Sequence, residues 1–157
     1  MKPLFVCAHN TCRSILSEVI TRNIAGGYIE VASAGSNPTG QIHPLTLKHL
    51  KHRGYSTMGL SSKSMDEIRS FNPNIVITVC DKAGNEACPV WLGNAIKVHW
   101  GLPDPLQPIC TDEESERNFN SVIDTIEYRI NQLLAQPYKS ANTNQQAAIF
   151  RQIGEEG

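Results

Sequence analysis

The stretch FVCAHNTCRS, Phe5 to Ser14, closes an apolar run with a cysteine and sets an arginine six positions later. A thiol and a guanidinium at this C-x5-R spacing suit nucleophilic chemistry on an anion. The thiolate is the attacking form of cysteine, and a guanidinium forks two hydrogen bonds onto an oxyanion. If the intervening turn runs directly from a strand into a helix, successive backbone N–H groups point into its hollow. The helix N-terminus then adds partial positive charge. Such a hollow holds an anion of phosphate size and favours the thiolate of Cys7, to which Ser14 can donate its hydroxyl. The alternative is a core cysteine packed like alanine beside a solvated Arg13. Short motifs are weak on their own, so the position between strand and helix decides for the anion site. The turn is not a Walker loop, because no Gly-Lys-Ser/Thr occurs in it.

Two further features lie where chemistry gathers in open parallel sheets, beyond the carboxyl ends of the strands. Asp104 stands in HWGLPDP between Pro103 and Pro105, which stiffen its backbone. A carboxylic acid over an anion pocket can protonate a leaving oxygen; the plainer reading is a turn aspartate. Cys80 closes an apolar run, and Cys80 and Cys88 frame CDKAGNEAC, read as a flexible loop around Gly84 and Asn85 that lets the two sulfurs approach. A metal site built from Cys7, His9, Cys12, Cys80 and Cys88 is the weaker reading. Zinc sites favour C-x2–4-C, whereas the spacings here are C-x4-C and C-x7-C. Metal is therefore expected to be absent. Cys110 has no evident partner.

These residues need strands and helices to hold them. Residues 2–7 read as a strand and 14–27 as a helix, with Ile15, Leu16, Val19, Ile20 and Ile24 at helical spacing and Gly26-Gly27 as its stop. Residues 28–35 read as a second strand and 43–54 as a helix with Pro44 in its first turn. Residues 61–71 suggest a short helix capped by Ser62 or Ser64. The β-branched run 74–80 reads as a strand covered on both faces, and 95–100 as a fourth strand. A long helix is predicted from Asp112 to about Gln136, with Phe119, Val122, Ile123, Ile126, Ile130, Leu133 and Leu134 as its buried stripe. Residues 139–146 read as a polar loop, and 147–153 as a last helical turn or a loose tail. Strands alternating with helices give an α/β fold with a mainly parallel sheet and helices on both faces.

The totals set bounds on function. A length of 157 residues fits a single domain, 1–157, with 139–157 as a loose C-terminal extension. With 40% hydrophobic and 18% charged residues the composition is that of an ordinary globular protein. A net charge of −1 provides no global field toward nucleic acid or anionic lipid. KHLKHR at 48–53 lacks interleaved aromatics and reads as a solvated helix face rather than an RNA contact. No run is long enough to span a membrane and the N-terminus lacks a signal-peptide core, so the chain is expected in the cytoplasm. Five cysteines at 7, 12, 80, 88 and 110, without CxxC pairs, do not form a structural disulfide framework there. Trp91 and Trp100 read as packing residues.

VCAHNTCRS, NIVITVCDKAGNEACPVWLG and VHWGLPDP together resemble the arsenate reductases built on the low-molecular-weight protein tyrosine phosphatase fold. The resemblance spans about residues 3–105 and continues more loosely through the long helix. It implies a four-stranded parallel sheet and a catalytic set of Cys7, Arg13, Asp104, Cys80 and Cys88. The substrate-binding loop is then Ala8, His9, Asn10, Thr11, Cys12, Arg13 and Ser14. Cys7 attacks arsenate, Asp104 protonates the departing oxygen, and Asn10 and Ser14 support the loop and the thiolate. Cys80 then attacks Cys7, releasing arsenite, and Cys88 carries the oxidation outward to a Cys80–Cys88 disulfide. The resemblance implies no bound cofactor and an external reductant, thioredoxin or glutathione with glutaredoxin. Some relatives bind potassium near the loop, and Glu18 and Ser33 stand at the matching positions. A phosphatase for phosphotyrosine or small phosphate esters is the main competing function. It needs only Cys7, Arg13 and Asp104, but DPLQPICTDE provides no aromatic to grip a phenol ring. A redox-sensing or anion-binding module without turnover is the second.

Overall fold

The computed structural model describes residues 1–85, 92–106 and 111–156. Four parallel strands form one sheet: β1 (Pro3–Cys7), β2 (Ala32–Gly35), β3 (Ile75–Thr78) and β4 (Ile96–His99), in the order β2-β1-β3-β4. Successive side chains of a strand point to opposite faces. Every residue of β1 and of β3 is buried, so both faces of the sheet centre are covered. The fold is α/β. The register pairs Val6 with Thr78 and Cys7 with Gly35, which brings three strand ends to one level.

Helix α1 (Arg13–Ala25) starts six residues after Cys7 and buries Ile15, Leu16, Val19 and Ile20 against the sheet and the long helix α4 (Asp112–Leu134). It stops at Gly26, whose φ of 61° is left-handed backbone that glycine adopts without strain. Helix α2 (Pro44–His52) places Pro44 at its first position, and the His43 ring accepts from the Leu45 N–H. Thr111 caps α4 by accepting from Glu114 N–H, and three acidic residues fill its positive first turn. The second strand is shorter than the sequence suggests. Residues 26–28 form a 3-10 turn, and Ile29 and Val31 are buried ahead of the ladder. Ser64 is the capping serine of 66–71: its hydroxyl accepts from Glu67 N–H while the Glu67 carboxylate accepts from Ser64 N–H.

Three stretches differ from their sequence reading. The C-terminal region is not a loose tail; α5 (Thr143–Glu156) is a helix packed on β4 and α4. Asn142 and Gln145 cap its start by exchanging hydrogen bonds of 2.8 Å. Phe150 is fully buried, its ring centroid 5.2 Å from that of Trp100, and its carbonyl accepts the indole N–H at 2.6 Å. CDKAGNEAC does not begin as a loop: Asp81–Asn85 form a short helix, α3. The basic run 48–53 is solvated only in part. His49 is buried and stacks on Phe119 at 4.4 Å, and Arg53 pairs with Asp124 and Glu127 on α4. The buried stripe of α4 also contains Arg129, whose guanidinium lies 5.5 Å from the Trp100 ring. No helix among the described residues is long and apolar enough to cross a membrane.

Burial lowers the His49 pKa below its ordinary value, with Lys48 and His52 acting in the same direction. The unfolded imidazole then takes up its proton first, near pH ~6.5. The His49 contribution is therefore fully present above that value and is lost as pH falls below it. Urea midpoints of the wild type are expected to fall between about pH 7.5 and about pH 5.5, and those of His49→Phe to fall less. Phe150→Ala is expected to cost about 3–5 kcal/mol in the same measurement, through a cavity under Trp100.

Candidate active site

The turn between β1 and α1 is built so that its carbonyls face outward. Cys7 O accepts from Ser36 N, Ala8 O from Asn37 N, and Thr11 O from His43 N. Thr11 O also accepts from the Thr46 hydroxyl, and His9 O from the Ser62 hydroxyl. Among the described hydrogen bonds, no backbone N–H of residues 8–12 donates to a protein acceptor. Asn10 has a φ of 52°, which reverses the chain inside the turn. Gly35 lies directly beneath: a Cβ there would stand 2.8 Å from Ala8 O and 3.0 Å from Asn10 N. Only glycine lets β2 approach the turn this closely.

The result is a hollow of about 100 Å³ lined by Cys7, Ala8, His9, Thr11, Cys12, Arg13, Asp104 and Leu106. Cys7 Sγ lies 2.8 Å from Ser14 Oγ. Arg13 donates through Nη1 to Leu102 O at 3.0 Å and turns Nη2 toward Asp104 Oδ2, 3.9 Å away. Asp104 is steadied from the other side, its Oδ1 accepting from Leu106 N at 2.9 Å. Thiol, guanidinium and carboxyl thus face one small space whose walls carry N–H donors.

The remaining sequence candidates divide. Asn10 and Ser14 are fully buried beside the hollow rather than in its lining, and Asn10 Nδ2 donates to both Ser14 and Ser33 hydroxyls. Cys12 lines the hollow, yet burial pushes its thiol up to about 12; Asp104 adds to the shift, while Thr46 and Arg13 oppose it. Cys12 therefore stays protonated at neutral pH. Cys80 follows β3 at the same edge of the sheet, since Val79 N donates to Val6 O, but it is not in the lining. Its buried thiol accepts from Ala83 N–H at 3.4 Å at the start of α3. Cys7, Cys12 and Cys80 are all free thiols. Cys88 and Cys110 lie outside the described residues. Among the described residues, no group of three His, Cys, Asp or Glu side chains could hold a metal ion. Sequence reasoning missed Leu106, Thr46 and Gly35 as parts of the site. Of these only Gly35, closing a strand next to a candidate loop, left a readable signal.

A cysteine at a strand's end, a small hollow beside it and an arginine opening the next helix come together at the edge of a parallel sheet. The chain belongs to the low molecular weight phosphotyrosine protein phosphatase family, whose sequence profile matches residues 2–146. It is 33% identical over 126 residues to an arsenate reductase of Halalkalibacterium halodurans, covering 80% of this chain and 89% of that protein. It is 28% identical over 134 residues to the glutaredoxin arsenate reductase of Synechocystis, covering 85% and 96%. Its fold matches a thioredoxin-dependent arsenate reductase of Corynebacterium glutamicum with a TM-score of 0.64 at 28% identity. That match covers 85% of this chain and 60% of the other.

Alkylation of the native protein near pH ~8 is expected to leave Cys12 unmodified, with modification appearing only on denaturation. Mass mapping of the labelled peptides checks this.

Proposed function

We propose that this chain reduces arsenate to arsenite in the cytoplasm, using Cys7, Arg13, Asp104, Cys80 and Cys88 within a single domain. The observation that carries the reading is the meeting of Cys7, Arg13 and Asp104 around an anion-sized hollow, with a second buried free thiol, Cys80, following the neighbouring strand. The arsenate reductases among its relatives support the same reading.

The oxyanion sits on the N–H groups of residues 8–12 and on the Arg13 fork, as a preorganised donor set holds developing charge. The Cys7 thiolate attacks arsenic, forming an S–As bond, while Asp104 gives a proton to the departing oxygen, which leaves as water. Ser14 donates to the thiolate before attack. Cys80 then attacks Cys7 sulfur. The S–As bonding pair stays with arsenic, which passes from the pentavalent to the trivalent state, and arsenite leaves. Two thiols have supplied two electrons and are joined as a Cys7–Cys80 disulfide. Exchange with the Cys88 thiolate frees Cys7 and moves the disulfide to Cys80–Cys88. A dithiol reductant, thioredoxin or glutaredoxin with glutathione, restores the resting enzyme. Cys80 leaves its hydrogen bond from Ala83 N–H to reach Cys7.

Phosphate-ester hydrolysis is the second reading, favoured by the same Cys7, Arg13 and Asp104 set and by the family to which the chain belongs. Leu106 rather than an aromatic stands beside Asp104 in the lining.

Steady-state arsenite production with thioredoxin, its reductase and NADPH separates the readings. Cys7→Ser is expected to abolish both activities. Cys80→Ser is expected to abolish arsenite turnover and spare any phosphatase activity; arsenite turnover surviving in Cys80→Ser would overturn the relay. Asp104→Asn is expected to slow formation of the Cys7 adduct by roughly 10²–10⁴-fold, the usual contribution of a general acid.

A further inference from the structure

Glu18 is a carboxylate almost wholly buried in α1, with Arg22 Nη2 at 2.8 Å from Oε2 and the Ser33 hydroxyl donating to Oε1 at 2.5 Å. Potassium is the group that the family resemblance suggests for this position. The oxygens at the matching positions are Glu18 Oε1 and Ser33 Oγ, and the Ser61 carbonyl shares their neighbouring cation. All three already converge on Lys63 Nζ, at 3.5, 3.4 and 3.1 Å. A potassium ion among them would displace an ammonium of its own charge. The residues of this chain therefore do not fit potassium.

We propose instead that Lys63 is the resident cation of this site and a positioning residue for Cys7. The hydrogen bonds between them run in one direction. Ser33 has a single proton, which goes to Glu18, so its oxygen accepts from Asn10 Nδ2 at 3.1 Å and from Lys63 Nζ. The Asn10 amide is fixed the same way round at its other end, because its Oδ1 accepts the backbone N–H of Lys63 at 2.9 Å. The second Nδ2 proton of Asn10 goes to Ser14 Oγ at 2.8 Å, leaving the Ser14 proton for Cys7 Sγ. Lys63 acts at both ends of this chain. Its amide orients Asn10, and its ammonium joins Arg22 in compensating the buried Glu18 carboxylate, taking the Oε1 side while Arg22 takes Oε2. A tethered ammonium needs no ion from solution.

The charged and titratable groups lining the hollow around Cys7 are Arg13, Asp104, His9 and the Cys12 thiol, and none of them belongs to the Glu18–Lys63 cluster. The test therefore compares reactivity at one fixed pH. The wild type is measured in potassium, sodium and tetramethylammonium chloride at equal ionic strength, by melting midpoint and by the rate of Cys7 alkylation with iodoacetamide. All three salts are expected to give the same values. Lys63→Met keeps the stem and loses the charge; it is expected to alkylate several-fold more slowly in tetramethylammonium and to regain rate in potassium or ammonium chloride. A wild-type response specific to potassium would overturn the proposal. So would a Lys63→Met protein that matches the wild type, or one whose deficit no small cation repairs. If Lys63→Met does not fold, the wild-type salt comparison decides alone. The proposal rests on Cys7 as the reactive thiol. No arsenate enters these measurements, so their outcome is separate from that of the turnover assay.

Discussion

A turn whose backbone N–H groups at 8–12 find no protein acceptor among the described hydrogen bonds is an unstable thing for a chain to make. Amides that point at one another repel, and each lacks a partner until an anion or water arrives. This chain holds the turn open from outside. Its carbonyls are held by Ser36, Asn37, His43, Thr46 and Ser62, which come from the end of β2, the start of α2 and the segment before residue 66. Inside, Asn10 accepts the left-handed backbone and is itself fixed by Lys63 N–H. The shape of the oxyanion hollow is thus set by elements from much of the first half of the chain. In the proposed reaction this is preorganisation for charge stabilisation, with the turn shaped before the substrate arrives.

The segment after Cys80 is held differently. A five-residue helix has little stability of its own. Helix α3 packs on β1 and β3 through the buried Ala83, and side chains of β4 add to its hold. Lys97 Nζ donates to Gly84 O at 2.8 Å, and the His99 ring lies between Gly84 and Gly101. A Cβ on Gly84 would stand 2.9 Å from His99 Nδ1, so a larger residue there would push helix and ring apart. His99 also meets Thr78 Oγ1 at 2.8 Å through Nδ1 and Asp81 Oδ1 at 3.2 Å through Nε2. Among the described residues the hydrogen bonds of this segment range from the buried Ala83 N–H to Cys80 Sγ to the exposed His99–Asp81 pair.

The parts legible in the sequence are those whose signal is local. Cys7 ends an apolar strand and Arg13 starts a periodic helix, so type and spacing alone brought the two together. The stripe from Phe119 to Leu133 followed from its helical period, and Asp104 from its place between prolines after a strand. The parts that were not legible depend on distant partners. Residues 143–146 are polar, and their helical fate comes from the Asn142–Gln145 exchange together with a groove beneath Trp100 that only the folded sheet creates. His49 looks like one basic residue among several until Phe119, 70 positions away in sequence, covers its ring. Lys63 sits in a serine-rich turn with no periodicity, and nothing nearby in sequence points to Glu18.

In the proposed reaction the hollow itself does little to tell arsenate from phosphate. Both are tetrahedral and carry like charge, and a cradle of N–H groups with one guanidinium reads only shape and charge. Discrimination of that kind is limited to differences in contact energy, which are small between near-isosteres. The distinction arises after the nucleophile has attacked. A phosphorus adduct cannot take up the S–P bonding pair as a stable trivalent product under these conditions, so Cys80 has no productive attack on it and water must cleave it. An arsenic adduct can accept the pair, and the second thiol then completes a two-electron reduction. Selectivity in this scheme is chemical rather than steric, and it resides in the sulfur of Cys80, which follows β3 outside the lining of the hollow.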